Sequence, residues 1–465
     1  MQSNLETEPT ADYILCADFG STYTKLTAVD LAKREIIATS KAFTTISTHI
    51  LEGFNNALTE LESKAGKLGY SKFLAASSAA GGLKMVAVGL VPSLTANAAK
   101  MAASSAGAKL IATYSYELSQ AEVDAIETAK PDIILLSGGI DGGNKEVICH
   151  NAAMIAGLSH EVPVIIAGNK SVAEEVRRIL VGGGKQAIVV ENVMPRFGEL
   201  NIMPAKAAIR DLFISNIISA KGLDDAQAMV SGEIIPTPLA VFEACELLST
   251  SGSLVAVDVG GATTDVYSMT DGAPTLPNTF EKGLKEPFAK RSVEGDLGVR
   301  YSIPSLVSEA GLAKIAQGCG LSEDEVEEWL ATCRRDTSTV AVPGSVGAVI
   351  DDELAASCVE ISMLRHAGTL ESVYTPMGEM MIQTGKDLGD VEFLIGSGGS
   401  VINSPNAERI LQRALASPNN PFALKPRAPR IIIDRRNILT AMGLLSRVDK
   451  DAALAIMEEQ FGLVN

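Results

Sequence analysis

The residues best equipped for chemistry lie in one stretch, Ser253 to Ser268, where Leu-Val-Ala-Val-Asp258 leads into Val-Gly260-Gly261-Ala-Thr263-Thr264-Asp265 and an apolar alternation resumes. This order reads as a buried strand, a tight turn and a returning antiparallel strand. Glycines there let the backbone approach a ligand closely. Backbone N–H groups and hydroxyls in such a turn form a concavity that suits phosphate oxygens, and a carboxylate at the strand end can hold Mg²⁺ through water. The same design stands near the N-terminus as Tyr13-Ile-Leu-Cys-Ala-Asp18-Phe-Gly20-Ser21-Thr22-Tyr-Thr24-Lys25. At a constant offset of 240 residues, Asp18 meets Asp258, Gly20 meets Gly260, Thr24 meets Thr264 and Lys25 meets Asp265. One such hairpin alone is more often structural, its Thr residues capping backbone groups. Two in register imply a duplicated domain whose turns together would clamp a Mg–nucleotide polyphosphate.

The 465 residues suffice for two or more domains with sizeable cores. With 46% hydrophobic residues, 41 Gly and one Trp, the composition fits an α/β protein better than an all-β one. A net charge of −17 disfavours nucleic acid and anionic membranes as partners. The six cysteines show no CxxC spacing, which argues against a zinc or disulfide scaffold and suits a reducing cytoplasm. Residues 1–12 are polar and acidic, unlike a signal peptide, and read as a disordered tail. No apolar run approaches the roughly 18 residues of a membrane span.

Between the hairpins, residues 109–189 alternate strand and helix patterns, which implies right-handed crossovers and a mainly parallel sheet. One of these strands ends in Ser137-Gly138-Gly139-Ile-Asp141-Gly-Gly, and Val391-Glu-Phe-Leu-Ile-Gly396-Ser397-Gly398-Gly399 echoes it in the second half. Pro236-Thr237 opens a helix predicted to run to Leu248 and bridge the halves, and Gly443 sits inside a late helix where backbones pack closely. Residues 305–385 read as mostly helical. The division expected is a first lobe, 13–248, with an inserted α/β segment, and a second, 249–465, with a helical insertion at about 300–385.

Taken together, Asp18-Phe-Gly-Ser-Thr, Asp258-Val-Gly-Gly-Ala-Thr-Thr-Asp265 and Leu394-Ile-Gly396-Ser-Gly-Gly399 resemble the two phosphate motifs and the adenosine motif of the actin, sugar-kinase and heat-shock-chaperone superfamily. Pro236-Thr237 and Ala441-Met-Gly443 resemble its two connecting helices. Within it, Ala76-Ser-Ser-Ala-Ala-Gly-Gly-Leu-Lys-Met85, Gly138 to Glu146, Glu191-Asn-Val-Met-Pro195 and Glu294-Gly-Asp-Leu-Gly-Val-Arg300 are similar to the MutL-type accessory proteins of coenzyme-B-twelve-dependent glutamate mutase, which are unrelated to the mismatch-repair protein.

The resemblance implies an α/β fold of duplicated ribonuclease-H-like, actin-like domains, with a nucleotide in the cleft between two lobes. It also implies a cytoplasmic ATPase that maintains an adenosylcobalamin-dependent mutase by exchanging damaged cobalamin. By carry-over, Asp18 and Asp258 would hold Mg²⁺ through water, and Gly20, Ser21, Thr22 and Lys25 would meet the β-phosphate side of ATP. Gly260, Gly261, Thr263 and Thr264 would face the γ-phosphate, while Gly396, Ser397, Gly398 and Gly399 would underlie the nucleoside. The chaperones carry a glutamate just before the Pro-Thr of the first connecting helix; here Ile235 takes that place and Glu233 lies two residues earlier. Slow hydrolysis, or water orientation by Asp265, is the consequence.

Some readings stay open. Lys25 suits a phosphate contact and a solvated strand charge equally. His366, beside Arg365 and before Gly368, is placed to stack on a base or, more simply, to be an ordinary helix-end histidine favourable to the dipole. The run Lys290 to Arg300 is a structural loop or, through Arg291 and Arg300, a mutase contact. A small-molecule kinase with Asp265 as base, or a nucleotide-binding scaffold or filament, would use the same fold. Homo-oligomers are equally allowed.

Overall fold

The computed structural model describes residues 12–20, 22–45, 49–78, 84–106, 108–218, 223–376 and 378–463. The chain divides by contact into two units, one of Met1–Leu83, Ile209–Ser251 and Ile438–Asn465, the other of Lys84–Ala208 and Gly252–Asn437. These differ from the chain-order division at 248: the inserted α/β segment groups with the second hairpin, and the C-terminal helices group with the first. Residues 1–11 of the expected tail lie outside the described residues, whereas Asp12 is tied through its carbonyl to the Leu31 N–H at 3.0 Å.

The first unit is built on a five-stranded sheet in the order Ile235–Pro236, Tyr70–Ser77, Tyr13–Phe19, Tyr23–Asp30, Glu35–Phe43. The central strand Tyr13–Phe19 is buried along nearly its whole length, as its unbroken apolar run requires of a strand covered on both faces. The helix Ile50–Ala65 presents Ile50, Phe54, Ala57 and Leu61 at helical spacing, and Phe54 packs its ring on Phe19 and Phe73. The helices Thr237–Leu248 and Leu439–Ser446 pack against one another, and the latter also packs on the strands Tyr13–Phe19 and Tyr70–Ser77. A Cβ at Gly443 would stand 1.8 Å from the Ala240 carbonyl oxygen, so only glycine permits the crossing.

The second unit repeats the sheet: Ala289–Glu294, Thr264–Met269, Leu254–Val259, Phe393–Ser397, Arg430–Ile433. In both sheets the central strand runs antiparallel to its hairpin partner and parallel to the strand on its other side. This twofold ribonuclease-H-like arrangement is the duplicated actin-like α/β fold expected from the motifs. One correspondence differs from expectation. The counterpart of Phe393–Ser397 is Tyr70–Ser77, whereas Ile133–Leu136 with its Gly138-Gly139 turn belongs to a separate parallel sheet.

That separate sheet has the order Lys109–Ser115, Lys84–Gly89, Ile133–Leu136, Val164–Ile166, Ala187–Val189, all parallel. Beyond the second hairpin come the helices Ile303–Ala310, Leu312–Cys319, Glu323–Arg335 and Val346–His366. Ser322 opens the third of these with the capping box its sequence predicts. The predicted helical insertion ends at His366; Thr369–Thr375 and Gly378–Thr384 are an antiparallel pair, joined by Thr279–Lys282. Their Thr, Val and Tyr content, flanked by Gly368 and Gly378, is the strand signal outweighed by the longer helical pattern. Among the described residues no helix is long and apolar enough to cross a membrane.

Gly443→Ala is expected to lower the unfolding free energy by more than about 2 kcal/mol, because its methyl meets backbone that cannot rotate away. Chemical denaturation measures this, and a loss below about 0.5 kcal/mol would show that the two helices tolerate separation.

Candidate functional site

At the first hairpin, Asp18 lies opposite Lys25 and Phe19 opposite Thr24. The Gly20 N–H donates to the Tyr23 carbonyl at 3.1 Å, and a Cβ at Gly20 would fall 2.6 Å from that oxygen. Asp18 is buried, and its Oδ1 accepts from the Thr237 hydroxyl at 2.6 Å while Lys25 Nζ stands 3.7 Å from Oδ2. Lys25 thus turns to the site carboxylate. Thr237 is the contact the sequence reading missed: it had served only as a helix start. Its signal was Pro236, which pairs as a short strand with Ser77 and sets the helix beginning beside Asp18. Ile235 is buried in that strand, and Glu233 is exposed. Thr22 is described and its carbonyl accepts from the Thr44 N–H at 2.9 Å; Ser21 lies outside the described residues.

The second hairpin copies this register, with Asp258 opposite Asp265 and Val259 opposite Thr264. The Gly260 N–H donates to the Thr263 carbonyl at 2.9 Å. Alongside runs Phe393–Ser397, which sets Ser397 against Asp258. At Gly398, φ is +85° and a Cβ would stand 2.5 Å from Asp258 Oδ1 and 2.3 Å from the Val259 carbonyl. Gly398 therefore carries the backbone past the site carboxylate as only glycine allows, whereas a Cβ at Gly399 would meet only Asn403 Nδ2, at an ordinary 3.7 Å. A Cβ at Gly396 would instead meet Leu411 at 2.5 Å, a packing requirement. Asp258 thus stands against Ser397 and Gly398, in the unit that also holds Gly260, Gly261, Thr263, Gly396 and Gly399.

Two of the expected residues are otherwise engaged. Thr264 is fully buried and its hydroxyl donates to the Leu297 carbonyl at 2.9 Å, tying down the neighbouring loop rather than facing a phosphate. Asp265 Oδ1 receives two guanidinium hydrogen bonds from buried Arg291, at 2.5 and 2.8 Å. Burial opposes the charge of Arg291, but Asp265 and Tyr267 outweigh it and raise its pKa. Arg291 is therefore internal, and Arg300 grips Asp351, the Thr339 carbonyl and the Val299 carbonyl. Both favour the structural reading of the Lys290 to Arg300 run over a contact surface.

His366 is not the dipole-facing cation predicted. It is fully buried, its ring nitrogens lie 2.7 Å from Ser292 Oγ and 2.8 Å from Ser268 Oγ, and the helix end is capped by Lys290, which donates to the His366 carbonyl at 2.8 Å. Burial, then Lys290, Lys386 and Lys100, hold its pKa well below the usual value. Lys386 donates to the Phe288 carbonyl at 2.6 Å; burial and then Lys290 lower its pKa to about 7, against Glu286 and Asp271.

Because Lys386 has a lower pKa folded than unfolded, the unfolded chain binds more protons between about pH 7 and the free-lysine range, and stability rises with pH across that window. Lys386→Met is expected to flatten this rise and to raise stability at pH 7. Thermal unfolding at pH 7 and pH 9.5 tests it; an unchanged pH slope would contradict the assignment.

A model of the MutL protein family matches residues 14–461. Over 459 residues the chain is 45% identical to Protein MutL of Clostridium tetanomorphum, covering 96% of this chain and 99% of that protein. Among solved structures, nucleotide-free acetone carboxylase aligns with a TM-score of 0.38 at 12% identity, covering 94% of this chain and 70% of that one. Component A of (R)-2-hydroxyglutaryl-CoA dehydratase from Acidaminococcus fermentans aligns at 0.32 and 10%, covering 95% and 100%. Likenesses that faint carry no functional weight, whereas the two sequence matches span nearly the whole chain. It belongs to the MutL protein family.

Proposed function

We propose that this chain binds ATP with Mg²⁺ and serves as an accessory factor that restores an adenosylcobalamin-dependent mutase, glutamate mutase or a relative, after inactivation. The observation that carries the nucleotide part is the repeated hairpin: the same Asp, the same glycine turn bond and the same cross-strand register in both units. Family membership supports the client. Asp18 and Asp258 would hold Mg²⁺ through water. The turns at Gly20, Ser21, Thr22 and at Gly260, Gly261, Thr263, with Lys25, would meet the phosphates, and Gly398 and Gly399 would pass under the nucleoside. The donor sets fit: each turn offers a carboxylate at a strand end beside glycine backbone.

Hydrolysis is slow on this reading, since Ile235 is buried where a water-orienting carboxylate is expected and Glu233 is exposed. The kinase alternative needs a carboxylate base, and Asp265 is bound by Arg291. Exchange of damaged cobalamin through nucleotide-driven movement is the mechanism favoured.

An adenosylcobalamin mutase inactivated by turnover should regain activity when given this protein, Mg²⁺, ATP and fresh cofactor. Asp258→Ala should reduce the recovery rate by about a hundredfold or more, and a non-hydrolysable analogue should not replace ATP. Recovery that proceeds without ATP would refute the reading.

A further inference from the structure

The inserted parallel sheet supports a second site. Numbered from Lys84–Gly89 along the chain, its strands lie in the order 2-1-3-4-5, so the strand order reverses between Lys84–Gly89 and Ile133–Leu136. In open α/β sheets of this order, ligands sit outside the carboxyl ends of the strands at that reversal. Helix Asn97–Ser105 packs on the sheet from one side, and the helices Gln120–Ala129, Glu146–Ala156 and Ala173–Gly182 share the apolar core with Val86, Val88, Ile134 and Leu136. Two loops therefore part at the reversal, Leu90–Thr95 and Ser137–Asn144.

Both loops are fixed by buried polar groups whose hydrogen bonds are used to hold shape. Thr95 Oγ1 accepts from the N–H groups of Leu90 and Val91 at 2.7 and 3.0 Å. The Ser137 hydroxyl lies 3.0 Å from the Val88 carbonyl and 3.2 Å from that of Thr95, linking one loop to the other. Asn169, fully buried, accepts from the Gly142 N–H and donates to the carbonyls of Gly143 and Asn144. Asn192 donates to the Gly139 carbonyl and to Asp141. The ends of four strands thus converge to brace one loop, whose Gly139 and Gly142 have φ of +71° and +78°.

Within that braced loop the N–H groups of Gly138, Gly139 and Ile140 donate to no protein acceptor among the described residues. Pro92, Ser93 and Ile140 at the loop tips are exposed. The Asp141 charge is met by Lys170 Nζ at 3.5 Å and by the Lys170 N–H at 3.1 Å. Successive N–H groups without partners, held rigidly at a sheet reversal, suit phosphate oxygens.

We propose that this crevice is a second ligand site, receiving the phosphate of a mononucleotide. Two sources share that chemistry: a free mononucleotide, and the nucleotide tail of the cobalamin exchanged in the function proposed above, the second resting on that reading. The test is equilibrium dialysis of the full chain, with MgADP saturating the hairpin turns, against AMP, cobalamin and cobinamide, which lacks the nucleotide tail.

AMP or cobalamin should bind and cobinamide should not. Ser93→Asp and Ile140→Glu, exposed changes that place a carboxylate on either loop, should each weaken binding tenfold or more with the circular dichroism spectrum unchanged. AMP binding alone would assign a free mononucleotide, and cobalamin binding would assign the cofactor tail. Failure of both to bind, cobinamide binding as tightly as cobalamin, or binding that survives both substitutions would overturn the proposal. ATP turnover by the same protein preparations without MgADP separates this outcome from loss of the hairpin site.

Discussion

A glycine N–H that closes back on a carbonyl three residues later is the bond on which both units depend. Gly20 reaches Tyr23 and Gly260 reaches Thr263, and a side chain at either position would press on the accepting oxygen. The turn forces the chain to reverse one residue after an aspartate, so Asp18 and Asp258 end up near strand ends beside half-buried glycine backbone. The sheets and the buried helices behind them hold those ends in place. The close backbone approach of Gly443 to Ala240 meets the helix that begins with Thr237, the residue hydrogen-bonded to Asp18.

The two hairpins share a backbone but have diverged in charge. In the first, the residue opposite the aspartate is Lys25, and the pair is self-compensating. In the second it is Asp265, and two carboxylates directly across a ladder repel. Arg291, arriving on the third strand, resolves the conflict by binding Asp265 from within the core. One consequence is that Asp265, which in sequence looks available on the returning strand, is structurally engaged. Asp258 is approached instead by Gly398, and the two aspartates thus reach equivalent positions through different neighbours.

Much of this was legible in the residues. The apolar run, aspartate and glycine turn marked both hairpins and their equivalence, because period and turn chemistry are local. The helices Ile50–Ala65 and Glu323–Arg335 followed from spacing and capping. Partners brought from afar were not legible: Thr237 to Asp18, Leu297 to Thr264 and Arg291 to Asp265 are all non-local. His366 looked like a helix-end cation because its burial by Ser268, Ser292 and Lys386 lies outside its own helix. The likeness between the turns at Gly138 and Gly398 was real in sequence and misleading in topology, since strand-glycine endings suit any parallel sheet.

The function proposed above assigns MgATP binding to both hairpins, and the most direct measurement is the affinity of MgATP for the intact chain and for Asp18→Asn and Asp258→Asn separately. Each substitution alone is expected to weaken Mg²⁺-dependent binding by about tenfold or more, roughly the worth of one charge-assisted contact. If either variant bound MgATP as the unaltered protein does, the hairpin it carries would have no part in nucleotide binding, and the proposed function would be contradicted.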